Sequence, residues 1–201
     1  MTPGPNEILV CTTCGEKMSS PTTCSSNTFG AIYWSDGKRE APMCPDSPWL
    51  VLCPHCQAPL WIDELKCVDK VSYRERSIKQ YDDPTFDTFL SVLSSGVDSS
   101  KKERYLRLKA WWKGNDSRRN EPIEMSERER DNALALAKLM DETNSNDVIM
   151  KAEIYREAKE FEKAMALIDA IESEDLNIAV KFIKKLIEQK DPFVRQLIFQ
   201  A

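Results

Sequence analysis

Apolar residues follow two different rhythms along the chain. Before residue 70 they come in short runs rich in aromatic and β-branched side chains, set between prolines, glycines and acidic residues. Such runs predict strands: residues 28–34, then Trp49-Leu50-Val51-Leu52, then Pro59-Leu60-Trp61-Ile62. The first enters Ser35-Asp36-Gly37-Lys38, where Asp-Gly suits the positive backbone angles of a hairpin turn. Three short strands bury little surface, so a unit of this size calls for a covalent or metal staple.

From Asp82 onward the period changes to three and four. Asp83-Pro84 ahead of Thr85-Phe86-Asp87-Thr88-Phe89-Leu90 has a capping residue and a proline at the first helical position. Ser100 leads a helix over 101–113, with Tyr105, Leu108, Trp111 and Trp112 as its apolar stripe and Gly114 placed to end it. Ser126 and Glu129 form a capping box before the run 132–140. Further helices are predicted over 147–158, 160–171, 174–189 and 192–199, the last opened by Asp191-Pro192. Their short joints predict antiparallel neighbours; the exception is the polar loop 115–125, which carries Arg118-Arg119. The expected fold class is α+β, a small β unit over 1–70 followed by an all-α tail of stacked helix pairs over 81–201.

Charge narrows the partners. The chain is acidic overall, at -5, and Met1–Lys70 holds five basic against eight acidic residues. Neither part has the Lys/Arg surplus of a general phosphate binder. The N-terminus shows no positive leader with an apolar run behind it, so a cytoplasmic protein with no membrane segment is expected.

Cysteine placement carries the chemistry. All seven cysteines lie within the first 67 residues, and four form two C-x-x-C pairs, Cys11-Thr-Thr-Cys14-Gly15 and Cys53-Pro-His-Cys56, separated by 38 residues. Two thiolates at this spacing reach one ion from a single tight turn, and two such turns complete the closed tetrahedron of structural zinc. Gly15 tolerates the positive φ that the turn after the second thiolate requires. The spacer is longer than in compact zinc sites, an excess the Asp36-Gly37 hairpin can absorb. The ligands of one zinc ion are therefore predicted to be Cys11, Cys14, Cys53 and Cys56. His55, the one histidine, sits between two ligands and is expected to be exposed or hydrogen-bonding. Cys24, Cys44 and Cys67 are solitary and read as small buried hydrophobes.

The stretch 6–66, with the two pairs, Asn27-Thr-Phe-Gly-Ala31, Trp34-Ser-Asp-Gly-Lys38 and Ala41-Pro-Met43, resembles a group of uncharacterised bacterial proteins, as does Trp111-Trp112-Lys113-Gly114-Asn115-Asp116. That resemblance implies an N-terminal zinc-ribbon-like region on the same four cysteines and a helical tail, with no known activity. Residues 152–168 are similar to one tetratricopeptide repeat: Ala152 and Ala164 are small where two helices touch, and Tyr155 and Phe161 fill the space beside them. Lys159 stands where that repeat's inter-helix turn usually has glycine.

No phosphate loop, nucleophile elbow or second histidine is present to build an active site. The expected function is a non-catalytic zinc-binding module that docks a protein or peptide, with Asn146, Glu153 and Arg156 as candidate groove residues. A second reading has the ribbon binding nucleic acid or a transcription complex, with Trp34, Trp49 and Trp61 stacking or forming the ribbon's core, and Lys38-Arg39 or Arg118-Arg119 touching phosphates. A thiol redox sensor is a third.

Overall fold

The computed structural model describes residues 1–171 and 177–198. Among them the fold is α+β, with six α-helices and small antiparallel sheets. Two compact units form: one from Met1–Ala31 and Glu40–Thr88, the other from Ile32–Arg39 and Phe89–Ala201. The division differs from the expected 1–70 and 81–201 at two places, each with a physical cause.

In the first unit, β2 (Asn6–Val10) runs between β3 (Lys17–Ser20) and β9 (Lys66–Val71), while β7 (Leu50–Leu52) pairs with β8 (Pro59–Trp61). A two-stranded ribbon of β1 (Thr2–Pro3) and β4 (Thr23–Ser25) completes it. Leu9, Met18, Val51 and Leu60 pack with Cys11 and Cys53 into one core. The expected linker after residue 70 belongs to this unit. Ser19 N–H donates to Lys79 O (2.8 Å), and Leu52 and Asp82 exchange both backbone hydrogen bonds (2.8 and 3.0 Å), so residues 79–82 close the edges of β3 and β7.

The second departure is the hairpin. Residues 28–31 form a turn, with Gly30 at φ 73°, and the strand β5 is confined to Ile32–Trp34. The turn after it closes through Gly37 N–H to Trp34 O and Trp34 N–H to Lys38 O, both 3.0 Å. Gly37 takes the positive φ, 75°, ahead of β6 (Arg39–Glu40). This turn packs in the helical unit: Trp112 Nε1 donates to Asp36 O (3.0 Å), and Gly37 faces Met150, whose Cε lies 3.7 Å from where a Cβ would sit.

The helices are α1 (Phe86–Ser94), α2 (Ser100–Asp116), α3 (Glu127–Ala137), α4 (Ser145–Glu157), α5 (Phe161–Asp169) and α6 (Asn177–Glu188). The division between units falls within α1. Each of α2 to α5 packs on the next, and α4 also meets α6. The Ser126–Glu129 capping box forms as expected. Ala152 and Ala164 are fully buried in a cluster with Ile168 and Ile183, flanked by Tyr155 and Phe161.

Two local expectations fail for local reasons. Gly114 does not end α2, which continues to Asp116; a Cβ there would lie 2.6 Å from Glu129 Oε1, so the glycine permits the close approach of α3. The helix expected over 192–199 is not formed among the described residues, and Phe199 lies outside them. Asp191 accepts from the Phe193 N–H (2.9 Å) in a turn, Arg156 holds the carbonyls of Asp191 and Phe193, and β10 (Gln196–Leu197) pairs with β5. The beginning of the predicted helix 174–189 also lies outside the described residues.

Candidate metal centre

The two C-x-x-C turns are built alike. In the first, Cys11 N–H donates to Glu16 O (2.9 Å) and Gly15 N–H to Cys11 O (3.0 Å); in the second, Cys53 N–H donates to Ala58 O (3.0 Å) and Gln57 N–H to Cys53 O (2.9 Å). Gly15 has φ 76° and Gln57 φ 59°. The second turn therefore uses the same left-handed residue without a glycine. Gln57 is held there by its own amide, which donates to Cys53 O (3.2 Å) and Asp82 Oδ2 (2.9 Å). Sequence reasoning found Gly15 and missed Gln57, because a side-chain substitute for glycine leaves no compositional signal.

The turns bring all four sulfurs within 4.8 Å of one another. Cys11 Sγ lies 3.8 Å from Cys56 Sγ, and Cys14 Sγ 3.7 Å from Cys53 Sγ. A tetrahedral ion with metal–sulfur bonds of about 2.3 Å has sulfur–sulfur edges of about 3.8 Å. The donor set fits such an ion. These separations are far beyond the roughly 2.05 Å of a disulfide, and none of the seven cysteines is in a disulfide. Cys11 and Cys53 are buried in the unit's apolar core, whereas Cys14 and Cys56 face solvent, so the inner half of the site is rigid and the outer half open to metal entry.

Electrostatics favours a cation at the centre. Burial pushes the Cys11 thiol up, but the N–H groups of Cys14 and Thr13, 3.5 and 3.4 Å from its sulfur, outweigh this and bring it down to about 6. At Cys14 the Glu16 N–H acts downward, yet partial removal from water and the three neighbouring sulfurs raise the thiol to about 12. At Cys56 the Ala58 N–H and the Cys14 sulfur act downward, yet partial removal from water and the other two sulfurs raise the thiol. One thiolate in so tight a group opposes the next. A divalent ion bonded to all four removes that opposition and releases the remaining protons.

His55 is exposed, with Nε2 3.2 Å from Lys17 O, outside the sulfur cluster. Cys24 and Cys67 are exposed and Cys44 half-buried, which corrects the expectation that all three are buried hydrophobes. Cys24 and Cys67 lie on strands β4 and β9, whose residues face solvent almost throughout.

Other nominated residues are placed differently from expectation. Glu153 and Arg156 are fully buried and bound to each other, Arg156 Nε donating to Glu153 Oε2 at 2.8 Å, so neither lines a groove; Asn146 alone of the three is exposed. Arg118 and Arg119 are 5% and 9% exposed. Arg118 binds Glu129 (3.0 Å), and Arg119 binds Asp36 (2.8 Å) and Asp116 (2.9 Å), so neither is displayed to phosphates. Lys38 is paired with Asp116 (2.5 Å). Trp34 is buried in the helical unit beneath the Arg119 guanidinium, Trp61 is half-buried and Trp49 is 40% exposed, so these tryptophans form neither a shared ribbon core nor one stacking face.

Among the described residues no helix is long and apolar enough to cross a membrane. The chain matches no protein-family model, no curated protein and no solved structure.

Proposed function

We propose that the protein is a non-catalytic zinc-binding interaction module, in which one zinc ion on Cys11, Cys14, Cys53 and Cys56 holds a ribbon-like unit together and a tetratricopeptide-like helical unit docks a protein or peptide. The observation that carries the metal assignment is the cluster of four sulfurs, all within 4.8 Å of one another and with two pairs at 3.7 and 3.8 Å. Four thiolates select a soft, borderline ion, and zinc is the one whose closed tetrahedral thiolate sites are built for structure. Such a site leaves no position for a reacting water, which supports a structural over a catalytic role.

A protein partner is favoured over nucleic acid by the fate of the basic pairs. Contacts to several phosphates need clustered free cations. Arg118 and Arg119 are instead spent on internal carboxylates, and Lys38 on Asp116. The acidic balance of the chain suits a partner of basic character. The cytoplasm, where thiols stay reduced and metal sites replace disulfides, suits the cysteine usage.

Metal analysis of the purified full chain tests the assignment: one zinc per chain is expected, and full occupancy in Cys53→Ser would overturn it. For the partner class, binding to random single- or double-stranded DNA or RNA at physiological salt is expected to be weaker than about 10⁻⁴ M. Micromolar binding that disappears in a Lys38→Ala/Arg39→Ala protein would move the assignment to a nucleic-acid module.

A further inference from the structure

Three carboxyl groups and two guanidinium groups meet in the interior of the helical unit. Asp36, on the inserted turn, is fully buried and accepts from Arg119 (2.8 Å), from the Asn115 amide (2.9 Å) and from the Lys38 N–H (3.0 Å). Glu153 is fully buried against Arg156. The third carboxyl is Glu157, at the end of α4 and 5% exposed. The hydrogen bonds that reach it come from the Trp111 indole (3.0 Å) and the Asn115 amide (3.2 Å), both neutral. The Asn115 amide nitrogen thus bridges Glu157 and Asp36.

Other charged groups on the surrounding elements have ion-pair partners of their own, and Arg118 also donates to Asn115 Oδ1 (3.1 and 2.9 Å). At the end of α2, Asp116 binds Lys38 and Arg119; beyond it, Arg118 binds Glu129 of α3. After α6, Asp191 binds Arg195, and Arg156 holds the carbonyls of Asp191 and Phe193 as well as Glu153. An ionised carboxyl buried without a contacting cation is expensive, and such a group neutralises instead.

We propose that Glu157 carries a buried proton in the closed helical unit and that its loss unseats the Asp36–Gly37 turn, making the cluster a proton-operated latch on the segment Ile32–Arg39. Ionised Glu157 adds a third negative charge beside Asp36 and Glu153, and the shared Asn115 amide transmits the repulsion to the turn. Burial, followed by the charges of Glu153 and Asp36, pushes the Glu157 carboxyl up to about 8, against the pull of Arg156 and the Trp111 hydrogen bond. Burial likewise raises Asp36 against its Arg119 partner. The sign follows from linkage. The folded value lies above the unfolded value of about 4.3, so this group's stabilisation is complete below about pH 4 and is lost as pH rises through about 8.

The test uses the zinc-loaded full chain with isotope-labelled glutamate and tryptophan, followed by NMR from about pH 5 to about pH 9, a range that brackets the folded value. The Glu157 carboxyl carbon should titrate near 8, and the Trp112 indole N–H, which reports turn seating through its bond to Asp36 O, should move with the same midpoint. In Glu157→Gln the Trp112 signal should stay flat. Urea unfolding of the wild type should become easier relative to Glu157→Gln by up to about tenfold per pH unit between about pH 5 and 8. A Glu157 carbon titrating below about 6, a Trp112 response that persists in the Gln variant, or a Glu157 titration without any Trp112 response would each overturn the latch. If Glu157→Gln does not fold, Asp36→Asn keeps the proposal exposed: it should lower the Glu157 midpoint, and an unchanged midpoint refutes the coupling.

Discussion

Each unit gathers a group of like-charged side chains, and the two groups are satisfied in opposite ways. The β unit gathers four sulfurs whose negative charges oppose one another. The helical unit gathers Asp36, Glu153 and Glu157 but supplies Arg119 and Arg156 from its own chain. The sulfurs of the first unit fit a metal ion taken from solution. The second unit is completed from elsewhere in the sequence, by a turn that lies along the chain between the two C-x-x-C pairs. Small β units have too little core to fold without such a staple, whereas stacked helices have core to spare and can carry the desolvation cost of charges if every charge is answered.

Removing the metal should separate the units most sharply. Structural zinc in small domains is worth about 10–16 kcal/mol, more than the whole stability of a unit this size. Cys53→Ser, or chelation of the wild type, should collapse the amide dispersion of β2, β3 and β7–β9. The amides of α2–α6 should remain protected. An ordered β unit in metal-free protein would show that the core of Leu9, Met18, Val51 and Leu60 suffices, and the contrast between the units would fail.

The complementary break is Asp36→Ala. It takes from Arg119 its buried carboxylate partner, keeping the partly exposed Asp116, and removes an acceptor from Asn115. Breaking one side of a buried ion pair costs about 3–5 kcal/mol, and the retained Asp116 contact puts this case at about 3 kcal/mol. Urea unfolding monitored on the helices measures it. For the same reason a fragment beginning at Tyr81 should be less stable than the helical unit in the full chain by at least about 3 kcal/mol, since it lacks Asp36 and the β5 strand that pairs with β10. Equal stability would mean that the inserted turn is an ornament on the helices.

What could be read from the sequence was local. The C-x-x-C spacing, the Ser126–Glu129 box and the small residues Ala152 and Ala164 all act within a turn or between adjacent helices, and their residue types announce the geometry. The exchange of the Asp36–Gly37 turn into the other unit depends on Trp112, Asn115 and Arg119, some 80 residues away, and no spacing rule connects them. Glu153 and Arg156 read as groove residues because charged residues on a helix usually face outward; here they bind each other in the interior, and the other partners of Arg156, the carbonyls of Asp191 and Phe193, lie far along the chain. Asp191-Pro192 has the composition of a helix start, and the pairing of β10 with β5 overrides it.

The smallest effect concerns the helix ends, where the local signal was present but inverted. Lys159 has φ 62°, with Lys159 N–H bonded to Arg156 O (3.0 Å) and Glu160 N–H to Tyr155 O (2.8 Å). Lys190 repeats the pattern after α6, with φ 50° and bonds from Lys190 N–H to Ile187 O and from Asp191 N–H to Leu186 O. Both are helix C-termini that normally end in glycine. A side chain in the left-handed region costs about 1–2 kcal/mol, and glycine returns about 0.4–1 kcal/mol of that through the freedom it adds to the unfolded chain. The Lys159–Glu124 ion pair is half-exposed and contributes close to nothing. Lys159→Gly and Lys190→Gly should therefore each stabilise the helical unit by about 0.5–1 kcal/mol. Neither should alter zinc content or the unfolding of the β unit, and a gain in β-unit stability from either would contradict the separate closure of the two units.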